Sequence, residues 1–361
     1  MEPLGGVEMK KLTSLTVLLA LAFSLASAAA AVGAARTVYS AGSYFEKGIS
    51  KACYWKGAVR VELPGDGTHG AGALSIFVSG ASVYTAGYYS DGAKEIPCYW
   101  TGAKRTDLAG DGRHNARAVS IFVSGKDVYV AGYVSDGGKE TPCFWTGPKR
   151  TDLPVATAGG GEALSIYVSA ATVYVSGYSE TPQGKTPCYW TGTKRTDLPR
   201  NTQVPGNGAA NSIFVVKGTV YAGGYIADVD KDTPCYWVNG KRTDLPVDKP
   251  AAMESYNGYA NAVFVAGGVV YAAGLSQKKL VKDADPVYTP CYWAGAKKVD
   301  LPGDGAHKGG AYAMYVAGGV VYAGGFYSNG TRETACYWTG GKRVDLKAGT
   351  DDSAVYSLFV Q

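Results

Sequence analysis

Three features of this chain predict an all-β fold, a seven-bladed β-propeller with four antiparallel strands per blade. One motif recurs seven times, each copy carries four short β-type runs, and the chain begins and ends at different phases of the repeat. The motif is anchored by one cysteine and one tryptophan per copy: Cys53/Trp55, Cys98/Trp100, Cys143/Trp145, Cys188/Trp190, Cys235/Trp237, Cys291/Trp293 and Cys336/Trp338. Successive cysteines are 45, 45, 45, 47, 56 and 45 residues apart. Periods of about 40–50 residues mark propellers or solenoids, and the contents of the repeat decide between them.

In one full copy the runs are AVSIFVS, DVYVAGY, PCFWTG and KRTDL, separated by GK, SDGGKE and a longer loop. Their β-branched and aromatic residues, bounded by Gly and Asp-Gly, read as four antiparallel strands. No helical periodicity appears beyond the amino-terminal segment. The first copy starts at its second run, TVYSAG from Thr37, and the last segment, AVYSLFVQ to Gln361, is a first run with nothing after it. Together they complete one blade, so the carboxy-terminal strand is expected beside the first three and the ring closes with few free edges.

The segment before the repeats has the pattern of an export signal. Lys10 and Lys11 precede the apolar stretch LTSLTVLLALAFSL, and Ala26–Ser27–Ala28 offers small residues for cleavage. The alternative is an uncleaved anchor, since Leu12 to Ala35 carry no charge. The expected organisation is a signal over residues 1–28, a linker over 29–36 and the propeller over 37–361, placed in the periplasm, at the cell surface or outside the cell. A formal charge of +5 without a long basic run excludes a nucleic-acid footprint.

The recurring phrase is mostly core. In PCYW the Cys and Trp share one face of a strand and the Tyr takes the other, so Trp55, Trp100, Trp145, Trp190, Trp237, Trp293 and Trp338 are expected to be structural anchors. Equivalent cysteines in separate blades lie beyond the roughly 4.4–6.8 Å Cα separation of a disulfide and are expected to be buried, free thiols. The KRTDL run places a base and an acid two apart on one strand face, which predicts an ion pair on each blade's outer strand. With these phrases, DVYVAGY and TVYVSGY among them, the chain resembles secreted bacterial β-propeller repeat proteins from Thr37 to Gln361. It lacks the paired Gly-His and Trp-Asp signature of WD40 repeats and the Gly-Gly pattern of kelch repeats. The resemblance implies an exported or cell-surface binding module.

Chemistry is sparse in the sequence. The three histidines share one loop position, giving Asp66/His69, Asp111/His114 and Asp304/His307 in GDGTH, GDGRH and GDGAH. Such a set around an axis is a candidate metal ring. Four copies lack the His and Gly-Asp-Gly is good turn chemistry, so no metal and no cofactor is expected. No nucleophile elbow, HExxH or P-loop occurs.

The longest interval, Cys235 to Cys291, exceeds the norm by 11 residues, divided between Pro246–Ala260 and Leu275–Thr289. Both connections leave a four-stranded blade on one face, and enlarged loops often carry binding. Tyr256, Tyr259 and Tyr288 are therefore candidate ligand anchors, with Lys278, Lys279, Lys282, Asp283 and Asp285 as polar contacts. The functional expectation is a non-catalytic, monomeric module that binds a protein or glycan and meets a membrane only during export. Its alternatives are a polysaccharide-acting hydrolase or lyase with an axial site, and a structural cell-surface component.

Overall fold

Short β-branched runs joined by two-residue turns fold as hairpins, and here they do so in every copy. The computed structural model describes residues 36–157, 159–200, 205–228, 231–248, 257–279 and 287–361, apart from the side chains of Lys278 and Lys279. These residues hold 28 strands in seven four-stranded antiparallel sheets, and no helix. In blade 3, β8 (Ala116–Ser124), β9 (Asp127–Ser135), β10 (Glu140–Thr146) and β11 (Lys149–Asp152) lie side by side in that order. Blade 1 is composite. Its order is β28 (Ser353–Val360), β1 (Val38–Glu46), β2 (Ile49–Lys56) and β3 (Val59–Glu62), with Val360 opposite Val38 and Ser353 opposite Tyr44. The fold expected from the phase of the repeat is the fold observed.

The core lies between blades. Trp145 and Cys143 of blade 3 pack against Ala86 of blade 2, and Trp190 and Cys188 of blade 4 pack against Ala131 of blade 3. All seven tryptophans are at most 1% exposed, and the seven cysteines are buried and free. Burial is the main influence that raises every thiol above its ordinary value, which keeps them protonated and unreactive.

Each tryptophan also joins its blade to the one before. The indole N–H donates to the backbone carbonyl just past the outer strand of the preceding blade: Trp100 to Pro64 at 3.0 Å, Trp145 to Ala109 at 3.0 Å, Trp190 to Pro154 at 2.8 Å. The same bond recurs at Trp237, Trp293 and Trp338. Trp55 donates to Lys347 at 2.9 Å, which closes the circuit from blade 7 to blade 1. On the outer strands the base–acid pairs form as expected, from Lys298–Asp300 at 2.5 Å to Arg60–Glu62 at 3.2 Å. Their partial exposure limits each to about 0–1 kcal/mol.

Every innermost strand carries a β-bulge. In blade 3 the register slips between Ala118 and Ser120, opposite Gly132 and Ala131, leaving Val119 as the extra residue. Glycine on the second strand permits this. A Cβ on Gly132 would stand 1.9 Å from the Arg117 carbonyl oxygen, and the same collision awaits at Gly42, Gly87, Gly177, Gly224, Gly274 and Gly325. The invariant glycine of the VYVAGY phrase thus fixes a kink in the neighbouring strand.

Two substitutions test this framework by chemical denaturation. Trp145→Ala is expected to cost about 3–5 kcal/mol. Gly132→Ala should cost about 1–3 kcal/mol, because the backbone of β8 must move.

Candidate functional site

The inter-blade connections and those between second and third strands lie at one end of the blades, and two-residue turns close the other. The bulges lie along the inner strands below this loop-bearing face. They turn the extra residue of each blade toward the axis, where Leu74, Val119, Leu164, Asn211, Asn261, Tyr312 and Tyr356 line a chamber of about 170 Å³. Three neighbouring blades contribute apolar side chains, and the next four contribute amides and phenols.

Below the bulge runs a chain of serines. Ser75 Oγ accepts from the N–H of Ile121, Ser120 from Ile166, Ser165 from Ile213, Ser212 from Val263 and Ser357 from Ile76, all at 3.0–3.2 Å. Two residues further along each strand stands an aromatic ring. Phe77, Phe122, Tyr167, Phe214, Phe264, Tyr315 and Phe359 form a closed collar with neighbouring centroids 4.6–5.2 Å apart.

Toward the loop-bearing face, ionisable groups from blades 2, 3 and 4 meet across the blade interfaces. Arg117, two residues before the bulge of blade 3, reaches back to blade 2, donating to Glu95 at 2.5 and 2.6 Å and covering the Tyr88 ring at 4.4 Å. These hydrogen bonds to Glu95 hold its guanidinium firmly protonated. Glu162, the same position in blade 4, accepts from the Tyr178 hydroxyl at 2.6 Å, and Tyr178 accepts from Lys185 Nζ at 2.9 Å. Burial, then the bond to Glu162, pushes the Tyr178 phenol up. Tyr133 sits in the fields of Arg117, Glu162, Glu95 and Glu140. Burial is the largest influence and takes it to about 12. Burial likewise raises Tyr312 at the chamber wall to about 12. This part of the loop-bearing face thus combines neutral phenols with carboxylates, a guanidinium and an ammonium group.

The sequence-predicted ligand residues divide. Tyr259 and Tyr288 are brought together with Tyr225 where blades 5 and 6 meet. Tyr259 packs on Tyr225 at 4.9 Å and lies 6.4 Å from Tyr288, and its hydroxyl donates to Asp232. The described feet of the two enlarged loops meet where Gln277 and Asn257 exchange hydrogen bonds. Lys278 and Lys279 end the strand Val269–Lys279. Tyr256, Lys282, Asp283 and Asp285 lie outside the described residues, as do residues 1–35 with the signal.

The histidines form separate dyads. His69, His114 and His307 each meet the carboxylate three residues earlier, Asp66, Asp111 and Asp304, through Nδ1 at 2.5 Å. Their other ring nitrogens press against Gly92, Gly137 and Gly330 of the adjacent loop. No group of three or more metal-ligating side chains occurs among the described residues. Arg117, Tyr133, Glu162, Tyr178, Asn211, Asn261, Tyr312 and Tyr356 escaped sequence reasoning. Apart from Tyr133 and Tyr178, which lie on second strands, their signal was available as positions two and four of the first run, which change from copy to copy while their neighbours hold.

No family model matches the chain, and no curated protein matches it. Solved structures do. They include the polysaccharide lyase Uly1, at a TM-score of 0.44 and 9% identity over 77% of this chain and 81% of that one. A thermostable family-43 glycoside hydrolase matches at 0.39 and 9%, over 64% and 93%. Apo AztD from Citrobacter koseri matches at 0.38 and 8%, over 91% and 99%. At these identities the likeness is one of fold. The expectation of a non-catalytic binding module is the reading that these comparisons speak against: glycoside hydrolases and a polysaccharide lyase stand among the similar structures.

The Asp–His loops carry a pH signature. Hydrogen bonds from the His69 ring and backbone hold the Asp66 carboxyl far below the usual range, and backbone and ring bonds from His114 do the same for Asp111. At Asp304 burial opposes the shift, but the bonds from His307 outweigh it and leave about 2. A carboxyl lowered by folding stabilises above its unfolded value, about 4, and that contribution fades as pH falls toward the folded value. Replacing all three with Asn is expected to lower stability at neutral pH and flatten its decline below about pH 4, as read from denaturant midpoints.

Proposed function

We propose that the chain is an exported polysaccharide-acting enzyme, a hydrolase or lyase, with its site at the axial mouth. One observation carries the reading: carboxylate, phenol, guanidinium and ammonium groups from three successive blades converge on the loop-bearing face, around Tyr133 and Tyr178. The repeat itself does not demand charge at Arg117 and Glu162, since the equivalent first-strand positions in the other blades hold Gly72, Ala209, Tyr259, Gly310 and Ala354.

Cleaving a glycosidic bond requires a proton for the leaving oxygen. Hydrolysis adds a carboxylate to activate water or attack the anomeric carbon, and elimination adds a base for the carbon-bound proton. Glu162 is the exchanging carboxylate in this reading. Lys185 and Tyr178 form its relay, because Tyr178 receives one hydrogen bond and gives another. Arg117, held by Glu95, orients the glycan, and the exposed ring of Tyr356 offers an apolar face for a sugar.

The test is turnover of a polysaccharide panel, following new reducing ends for hydrolysis and ultraviolet absorbance of unsaturated ends for elimination. Glu162→Gln is expected to lower kcat/KM by about 10²–10⁴, with Tyr178→Phe also impaired. A panel left untouched, or turnover indifferent to Glu162→Gln, refutes the assignment.

A further inference from the structure

The serine chain below the bulge is incomplete, and its gap faces the polar side of the chamber. Five blades place a serine where it accepts the next blade's inward N–H. Blades 6 and 7 have Ala262 and Ala313 instead. The N–H groups that these positions would serve belong to Met314 and Leu358. Both share the register of Ile76, whose own N–H leaves the strand's free edge for Ser357: Met314 lies opposite Ala323, Leu358 opposite Ser40, Ile76 opposite Thr85. Among the described residues no side chain accepts from either, and both residues line the chamber. Backbone donors without a partner are uncommon where water is restricted.

The surroundings define what would complete them. Asn211 and Asn261 each give one amide N–H to the Ala260 and Ala311 carbonyls, which orients the side chains and leaves their oxygens as acceptors. Tyr312 and Tyr356 flank the gap, 6.0 Å apart between ring centroids. Leu74, Val119 and Leu164 form the opposite wall, and no lining residue is charged. A volume of about 170 Å³ is below the usual 300–1,000 Å³ or so of pockets that hold drug-sized ligands, and suits one sugar ring rather than an oligosaccharide.

We propose that this gap is a subsite for a single uncharged sugar residue. The Met314 and Leu358 N–H groups hold one of its oxygens, the asparagine oxygens take its hydroxyls, and its apolar face lies on Leu74, Val119 and Leu164. This deepens the axial-enzyme reading, on which the choice of a sugar rests.

The probes are methyl glucoside, methyl galactoside and N-acetylglucosamine, with glucuronate as the charged comparison, titrated into the ¹⁵N-labelled full chain while the Met314 and Leu358 amide resonances are followed. A saturable shift of both with an uncharged sugar is expected, with glucuronate weaker by about tenfold or more. The double variant Ala262→Ser, Ala313→Ser gives these N–H groups the hydroxyls that the other five blades have. Its affinity is expected to fall about tenfold or more with its melting temperature unchanged. Should it misfold, Tyr312→Phe serves instead, with a several-fold loss expected. Shifts that persist in the variant, or no shift with any sugar, overturn the proposal. Turnover of a polysaccharide without amide shifts defeats this subsite alone, whereas shifts without turnover of any polysaccharide defeat the enzymatic reading alone.

Discussion

The hydrogen bond from each buried indole to the preceding blade's exit loop is the constraint on which the ring depends. A four-stranded blade is small and leaves two apolar faces, so it gains stability only between neighbours. Trp55, Trp100, Trp145, Trp190, Trp237, Trp293 and Trp338 fill those interfaces. Each also ties down a backbone carbonyl where the chain leaves the preceding blade. One side chain therefore sets both the spacing of adjacent blades and the path of the chain between them.

A second constraint turns this scaffold toward chemistry. Glycine on each second strand admits a carbonyl at a distance no Cβ tolerates, and the bulge that results presents one extra side chain per blade to the axis. The scaffold repeats this device seven times without prescribing which residue is presented. Leu, Val and Leu on one arc and Asn, Asn, Tyr and Tyr on the other break the rotational symmetry. The same departure from repetition appears in Arg117 and Glu162 above the chamber, and in Ala262 and Ala313 below it. Structure is carried by what the copies share, and recognition by where they differ.

The shared part was legible in the chain because it is local. Cysteine–tryptophan spacing, four β-runs and the offset phase of the termini suffice to specify blade count, strand order and closure. The site was less legible. Tyr259 and Tyr288 stood out because they flank an insertion, which is visible as length. Arg117, Glu162, Asn261 and Tyr312 are single substitutions inside a conserved-looking strand, and a bulge cancels the two-residue alternation that would have assigned them a direction. Recurring acids such as Asp107 and Asp152 were rightly placed on outer strands. That pattern drew attention from Glu162, which occurs at its position once. The histidines were visible as a set, but their glycine partners in the neighbouring loop were not.

Closure of blade 1 has a consequence for the lifetime of the folded state. Seven sheets make a ring with one seam: six are continuous in sequence, and only the pairing of β28 with β1 joins segments from opposite ends of the domain. The strand that seals the ring follows all the others in sequence, so the circle cannot lock until the other six blades have been laid down. Thereafter, opening the circle must either tear a blade that is continuous in the chain or peel β28 from its partner and both neighbouring blades at once. Escape from the native state is therefore governed by the rate at which eight residues detach, a kinetic guard distinct from the summed stability of the blades.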